Sequence, residues 1–283
     1  MRPLLILSLV CATLLAESPG YQRARALYDR TEYGAALRLL LPVEEKDAAT
    51  LVLMGQNYFM MGDANRASEY FQQAVELEPA NSVYYHWLGR AYGRRAERGS
   101  IFTAMGNASK ARQNFEKAIE LDPHNSEAVN DLFEFYVEAP GFIGGGLDKA
   151  ERLAVLIAAH DAAEGNYALA RIAEKRKEYP RAESHLRQAM ELAPRQVGRV
   201  IDLAKFLAKH GKFEESEKTF QAAEKIAPSA PRLMFARAAA YIQTKRKIET
   251  ARSLLQKYLR ARLTPDDPPR EEARRLLQEV SGG

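Results

Sequence analysis

Four copies of one short phrase close on proline, and that recurrence restricts this chain more than any other feature. The phrases end at Glu76-Leu77-Glu78-Pro79, Glu120-Leu121-Asp122-Pro123, Glu191-Leu192-Ala193-Pro194 and Lys225-Ile226-Ala227-Pro228, the last two prolines standing 34 residues apart. Upstream of each lies a spaced triplet of small, large and small residues: Ala67, Phe71 and Ala74; Ala111, Phe115 and Ala118; Ala182, Leu186 and Ala189; Ser216, Phe220 and Ala223. Further upstream come Leu51, Met54, Gly55, Tyr58 and Gly62, then Leu88, Gly89 and Tyr92. Apolar residues three and four apart mark amphipathic helices. A proline cannot continue a helix, so each phrase ends one. The chain therefore reads as a succession of two-helix units, and no unit of that size can bury its apolar face without a neighbour. Strand alternation is absent, so the expected fold class is all-α.

The spacing resembles the tetratricopeptide repeat family. Its motif has a large apolar residue at position 4, Leu-Gly at 7–8, Tyr at 11, Gly or Ala at 15 and 20, an aromatic at 24, Ala at 27 and Pro at 32. Segment 48–81 carries these features throughout and 197–230 carries most of them. The resemblance implies a right-handed superhelical solenoid of about six to seven helix-turn-helix repeats over 17–264. The expected units are 17–47, 48–81, 82–125, 126–162, 163–196, 197–230 and 231–264. Residues 265–283 are expected to form a C-terminal capping helix and tail, with Asp267 as its N-cap and Pro268 at its first position.

Two units depart from the motif. Tyr92 and Ala111 are separated by about ten residues more than the motif requires, and Tyr136 and Ala150 by about five more. Both insertions fall between the two helices of their unit and should protrude on one edge of neighbouring repeats, exposing Ile101 and Phe102 in one and Phe142 and Ile143 in the other. The second insertion holds Gly141, Gly144, Gly145 and Gly146, but no Gly-Lys-Ser/Thr follows and no strand precedes, so it is not a phosphate loop. It reads as a stretched turn before a helix capped by Asp148. The same unit has Phe133 where the motif has Gly and Ala162 where it has Pro.

The first residues read as an address. Met1-Arg2, an apolar run from Pro3 to Ala16 and the polar Glu17-Ser18-Pro19-Gly20 describe a secretory signal peptide over 1–16, with cleavage after Ala16. Acylation at Cys11 is disfavoured, because Val10 is bulky and the apolar run continues past the cysteine. Cys11 is the only cysteine, so neither a disulfide framework nor a thiolate zinc site can be built. No second long apolar run follows, and no membrane span is expected beyond the leader.

Catalysis finds no candidate residues. The five histidines lie in different units without metal-ligand spacing, and no activated nucleophile is evident. No cofactor site is expected. Lys+Arg 41 against Asp+Glu 37 leaves a net charge of +4, too little for a dedicated nucleic-acid binder.

The resemblance places positions 2, 5, 9, 12 and 13 of each first helix on a concave groove. Position 5 gives His86, Asn130 and Tyr167; position 9 gives Arg90, Glu134, Arg171 and Lys205; position 13 gives Arg94, Glu138, Lys175 and Lys209. Arg90–Glu134–Arg171 and Arg94–Glu138–Lys175 could form charge ladders between neighbouring helices, or merely solvate the surface. Lys205 and Lys209 have no acidic neighbour in their own rows, and with Arg171 and Lys175 would leave a basic patch. The resemblance also covers a carboxylate clamp for chaperone tails, but Val52, Gln56, Trp87, Glu127 and Asp131 occupy the clamp positions, so that activity does not carry over. Val52, Phe59 and Met60 are either an apolar peptide patch or the seat of the first unit.

The expected function is an exported, non-catalytic scaffold or adaptor of a cell-envelope assembly. It would bind another protein or peptide, with an acidic or C-terminal carboxylate segment, in the groove. The alternative is nucleic-acid binding through the cations of 231–283, among them Arg232, Arg237, Lys247, Arg252, Arg270, Arg274 and Arg275.

Overall fold

The computed structural model describes residues 19–280, so the leader expected over 1–16 and Cys11 lie outside the described residues. The helices come in pairs: α1 (Pro19–Asp29) with α2 (Tyr33–Leu40), α3 (Ala48–Met60) with α4 (Ala64–Leu77), α5 (Ser82–Arg98) with α6 (Ile101–Leu121), and α7 (Ser126–Glu138) with α8 (Leu147–His160). Then follow α9 (Ala162–Lys175) with α10 (Tyr179–Leu192), α11 (Val197–Lys209) with α12 (Phe213–Ile226), and α13 (Pro231–Gln243) with α14 (Ile248–Arg260). A single α15 (Arg270–Glu279) ends the stack. No strand occurs among the described residues.

Local chemistry starts several of the helices. Asp47 accepts from the Thr50 amide at 2.8 Å, Asp63 from Arg66 at 3.1 Å, Asn125 from Ala128 at 3.0 Å and Asp161 from Ala163 at 2.8 Å. Each satisfies an amide that the first helical turn leaves free. Between the helices of a pair of ordinary length, the turn needs one residue in the left-handed region. Gly62 (φ 84°) and Gly211 (φ 79°) supply it, while Lys177 (φ 63°) and Lys245 (φ 53°) adopt it at the same place of their units.

Pairing within a unit depends on a small residue under a ring. A Cβ on Gly55 would lie 2.5 Å from the Phe71 ring, and one on Gly89 would lie 2.6 Å from Phe115. Ala170, Ala204 and Ala238, fully or nearly buried, stand at the corresponding place of later units. In the α7–α8 unit the sizes are exchanged. Phe133 is buried where the others have Gly or Ala, and buried Ala154 stands where the others have an aromatic or Leu. A volume-conserving exchange of this kind keeps an interior filled. The apolar clusters overlap along the stack, one running from Ala24 to Ala91, the next from Ala111 to Ile172, then through Ala170–Leu207 and Val200–Ala240 to a last one at Ala238–Ala273. Val52, Phe59 and Met60 are buried in the first of these with Ala24, Tyr28 and Leu37, and thus seat the first unit rather than forming an open patch.

Three expectations from sequence require correction. The first insertion is not a loop: it lengthens α5 to 17 residues and α6 to 21, leaving only Gly99 and Ser100 between them. The second insertion contains a 3₁₀ turn, Gly141–Ile143, followed by Gly144 at φ 102° and Gly146 at φ 155°. Helix α8 begins there at Leu147, so Asp148 lies inside its first turn, 3.5 Å from Arg152, and does not cap it. Helix α15 begins at Arg270, and Asp267 instead accepts from the amide of Thr264 at 2.9 Å and its hydroxyl at 3.1 Å. The last element also reaches the start of the chain. Arg270 donates to the Thr31 hydroxyl at 2.8 Å, and Thr31, Tyr33 and Met60 line one hollow with Leu263 and Pro268. The superhelix thus returns its C-terminal end to its first unit.

Two glycine substitutions separate the two constraints. Gly55→Ala should destabilise by about 1–3 kcal/mol, because the buried Phe71 ring must move. Gly211→Ala meets no atom within 4 Å and should cost about 1 kcal/mol through backbone conformation alone. Urea unfolding of both variants checks the difference, and equal small effects would contradict the tight contact.

Candidate protein-binding groove

The first helices of successive units present their polar faces side by side, and α7, α9 and α11 carry the densest charge. Arg171 on α9 reaches back to α7, donating to Glu134 through Nε at 3.2 Å and through Nη2 at 2.8 Å, and to Glu138 at 2.9 Å. Lys175, one turn on, donates to Glu138 at 2.8 Å. Asn130 lies half-buried on α7, one turn before Glu134. On the far side Lys209 of α11 donates to Glu174 of α9 at 2.8 Å, and Arg171 also lies 3.5 Å from Glu174. Arg199 pairs with Glu164, lies 3.3 Å from Asp202, and stacks 4.7 Å from the Tyr167 ring centre.

These contacts shift the protonation of the groups involved. The hydrogen bond from Lys175 holds the Glu138 carboxyl below its usual value, with Arg171 adding to the effect. Burial pulls Glu174 up, but Lys209, His210 and Arg171 outweigh it, and its carboxyl also titrates low. Burial works against Arg171 too, yet Glu134 and Glu138 push its guanidinium further up. Asp202 and Glu164 are raised by burial, which their arginine partner only partly offsets. Burial likewise raises the Tyr167 hydroxyl.

Half of each expected ladder is present as an ion pair: Arg171–Glu134 in one and Lys175–Glu138 in the other. The N-terminal rungs are built differently. Arg90 lies 3.8 Å from Asp131 and over the Trp87 ring at 4.3 Å, and Arg94 turns to Glu97 of its own helix at 3.2 Å. His86 is 1% exposed, so it is not a groove-surface residue. Its Nε2 meets Asp131 at 2.8 Å, joining α5 to α7. The expected basic patch is also corrected, because Arg171, Lys175 and Lys209 all have carboxylate partners. Only Lys205 of that group has no carboxylate within 4 Å among the described residues, and its side chain is exposed. The partners that sequence reasoning missed, Glu174, Glu164, Asp202 and Asp131, stand at positions 12, 2, 6 and 6 of their units. Reading rows 9 and 13 alone passed over them.

The insertion residues make none of the ion pairs of this lattice. Ile101 opens α6, Phe102 next to it is 92% exposed, and Phe142 is 77% exposed with Ile143 half-buried. A Cβ on Gly144 would meet the Arg112 side chain at 2.8 Å, so the glycine turn lies against α6 at the level of Arg112. That is about 15 Å along the helix from Phe102, and the two aromatic residues do not form one patch. In the C-terminal third, Arg237 and Lys247 bind Glu217, Arg252 and Arg274 bind Glu249 and Glu271, and Arg232 donates to the Asp266 carbonyl at 3.2 Å.

Stacked helix pairs with a polar groove define a helical-repeat scaffold, and the comparisons specify which kind. Family models described as tetratricopeptide repeat match residues 48–81, 95–125 and 173–234. A tetratricopeptide repeat protein from Parabacteroides merdae shares 15% identity, over 93% of this chain and 97% of that one, with a TM-score of 0.60. A thermophilic one from Thermus thermophilus shares 22%, over 68% of this chain and 99% of that one, with a TM-score of 0.55. No curated protein matches the chain. The chain carries tetratricopeptide repeats over these three stretches, and such repeats indicate a protein–protein interaction scaffold. Among the described residues no helix is long and apolar enough to cross a membrane.

A carboxylate with a lowered value contributes stability that is present above its ordinary value of 4.5 and lost as pH falls through the folded one. Glu164 and Asp202, shifted upward, act in the opposite sense and soften the loss. Urea unfolding at pH 7 and pH 3 should therefore show Glu138→Gln/Glu174→Gln less stable than wild type at pH 7, with the gap narrower at pH 3. An unchanged gap at pH 3 would contradict the pairing.

Proposed function

We propose that the protein is an exported scaffold of a cell-envelope assembly that holds a segment of another protein in its concave groove. The compartment rests on the leader read over Met1–Ala16. The groove reading rests on one observation: Lys205 is an exposed cation without a carboxylate at the rim of a hollow of about 230 Å³, lined by Tyr167, Arg171, Asp202, Phe206 and Gln243. Arg171, Lys175 and Lys209 are already satisfied by Glu134, Glu138 and Glu174. A segment offering a single carboxylate, side-chain or C-terminal, fits that surplus better than a run of acids, which the lattice carboxylates would repel. Apolar contact on Tyr167 and Phe206 would supply the rest of the affinity.

The chain from Glu17 onward, immobilised and incubated with envelope extract, should capture a partner that Lys205→Glu loses at least tenfold while keeping its helical spectrum. Equal capture by both proteins would overturn the groove assignment. The N-terminus of the protein recovered from cells should begin near Glu17, and an intact Met1 would overturn export.

A further inference from the structure

The lengthened helix pair carries a second feature, on the edge of the solenoid and independent of the groove. Arg94 ends the length of an ordinary 13-residue repeat helix, and Arg95 and Arg98 stand on the extension of α5 just beyond it. Although Arg232 and Arg270 donate to neutral oxygens, many arginines elsewhere end on carboxylates, as Arg112 does on Glu116, Arg171 on Glu134, Arg187 on Glu183 and Arg237 on Glu217. Arg95 and Arg98 do not: among the described residues neither has a carboxylate within 4 Å. Arg95 donates to the Ser68 hydroxyl at 2.8 Å, and Arg98 to the Gly62 carbonyl at 2.5 Å. Both guanidinium groups are held in place by neutral oxygens, with most of their N–H donors left over.

They face a cleft of about 580 Å³ between the Met61–Asn65 turn and α6. Asn65, Thr103 and Asn107 complete its polar lining. The one carboxylate there, Asp63, is committed to Arg66 at 3.1 Å and to the Arg66 amide. Arg94 also lines the cleft and is only partly neutralised by Glu97 at 3.2 Å. Like charges three and four residues apart on one helix repel, so the arrangement is unfavourable until an anion is added. Two planar forks with free donors match the oxygens of a doubly charged tetrahedral anion better than a single carboxylate does. At the tip beyond the cleft, Phe102 and Met105 are exposed.

We propose that this cleft binds a phosphate group, with Arg95 and Arg98 holding its oxygens. Two sources share that chemistry, a soluble phosphate compound and the headgroup of an anionic lipid, into whose surface Phe102 would dip.

The test compares the whole protein with Arg95→Gln/Arg98→Gln and with Arg274→Gln/Arg275→Gln, which removes the same charge elsewhere. Inorganic phosphate is titrated calorimetrically, and co-sedimentation is measured with phosphatidylglycerol and with phosphatidylcholine vesicles. Wild type and the distal variant should bind phosphate alike, and the cleft variant at least tenfold more weakly. Vesicle binding that needs phosphatidylglycerol and is lost in Phe102→Ser, with phosphate binding retained, identifies the headgroup as the source. Phosphate binding without vesicle binding identifies a soluble compound. Equal phosphate binding by the cleft variant, or binding of neither ligand by wild type, overturns the proposal. Should the cleft variant unfold, the Nε–Hε resonances of Arg95 and Arg98 in wild type must move on phosphate addition, and their failure to move overturns it equally.

Discussion

The ring of Phe71 occupies the space that any side chain at position 55 would need, and the same holds for Phe115 over Gly89. This close approach brings the two helices of a unit near enough that their shared apolar face closes, and everything else in the molecule is stacked on that result. Overlapping clusters from Ala24 to Ala273 show that burial is completed only between neighbours. A repeat protein distributes its stability in this way, as a sum of local and nearest-neighbour contributions. The superhelix then returns its last helix to its first unit through Arg270 and Thr31.

Because the packing aligns the first helices, their polar faces must coexist at close quarters. Like charges in register would repel, and the chain alternates them instead. Glu134 and Glu138 on α7 meet Arg171 and Lys175 on α9, and Glu174 on the same α9 meets Lys209 on α11. The result is a lattice spanning three units, with one exposed cation, Lys205, left over. The outer edge has the opposite design. There the lengthened α5 holds Arg95 and Arg98 on neutral oxygens, so the two faces present different chemistry to the surroundings.

Much of this architecture was legible in the sequence because the signals were redundant. Glycine at 55 and 89, rings at 71 and 115 and proline at 79 and 123 each point to the same paired helices. The insertions were legible in length but not in form, since ten added residues can extend two helices as readily as make a loop. Ala104, Met105, Ala108 and Lys110, all good helix formers, favour extension. The starts of α8 and α15 were misplaced because Asp148 and Asp267 look like caps. The glycine turn before one and the Thr264–Asp267 turn before the other set the boundaries instead. The groove was half legible. Rows 9 and 13 gave two rungs, but a side chain on a superhelix also meets neighbours from rows 2, 6 and 12, where Glu164, Asp131 and Glu174 stand. His86 was misread for the same reason, since its partner Asp131 belongs to the next unit.

The character of the groove depends on whether its charges bind one another across units. A double-mutant cycle on Arg171→Gln and Glu134→Gln, read by urea unfolding at low salt, tests this most directly. Two hydrogen bonds in a half-buried pair should give a coupling of about 0.5–1.5 kcal/mol, diminishing as salt is added. A coupling indistinguishable from zero would mean that the cations are free after all, and that the groove is the basic surface its sequence rows first suggest.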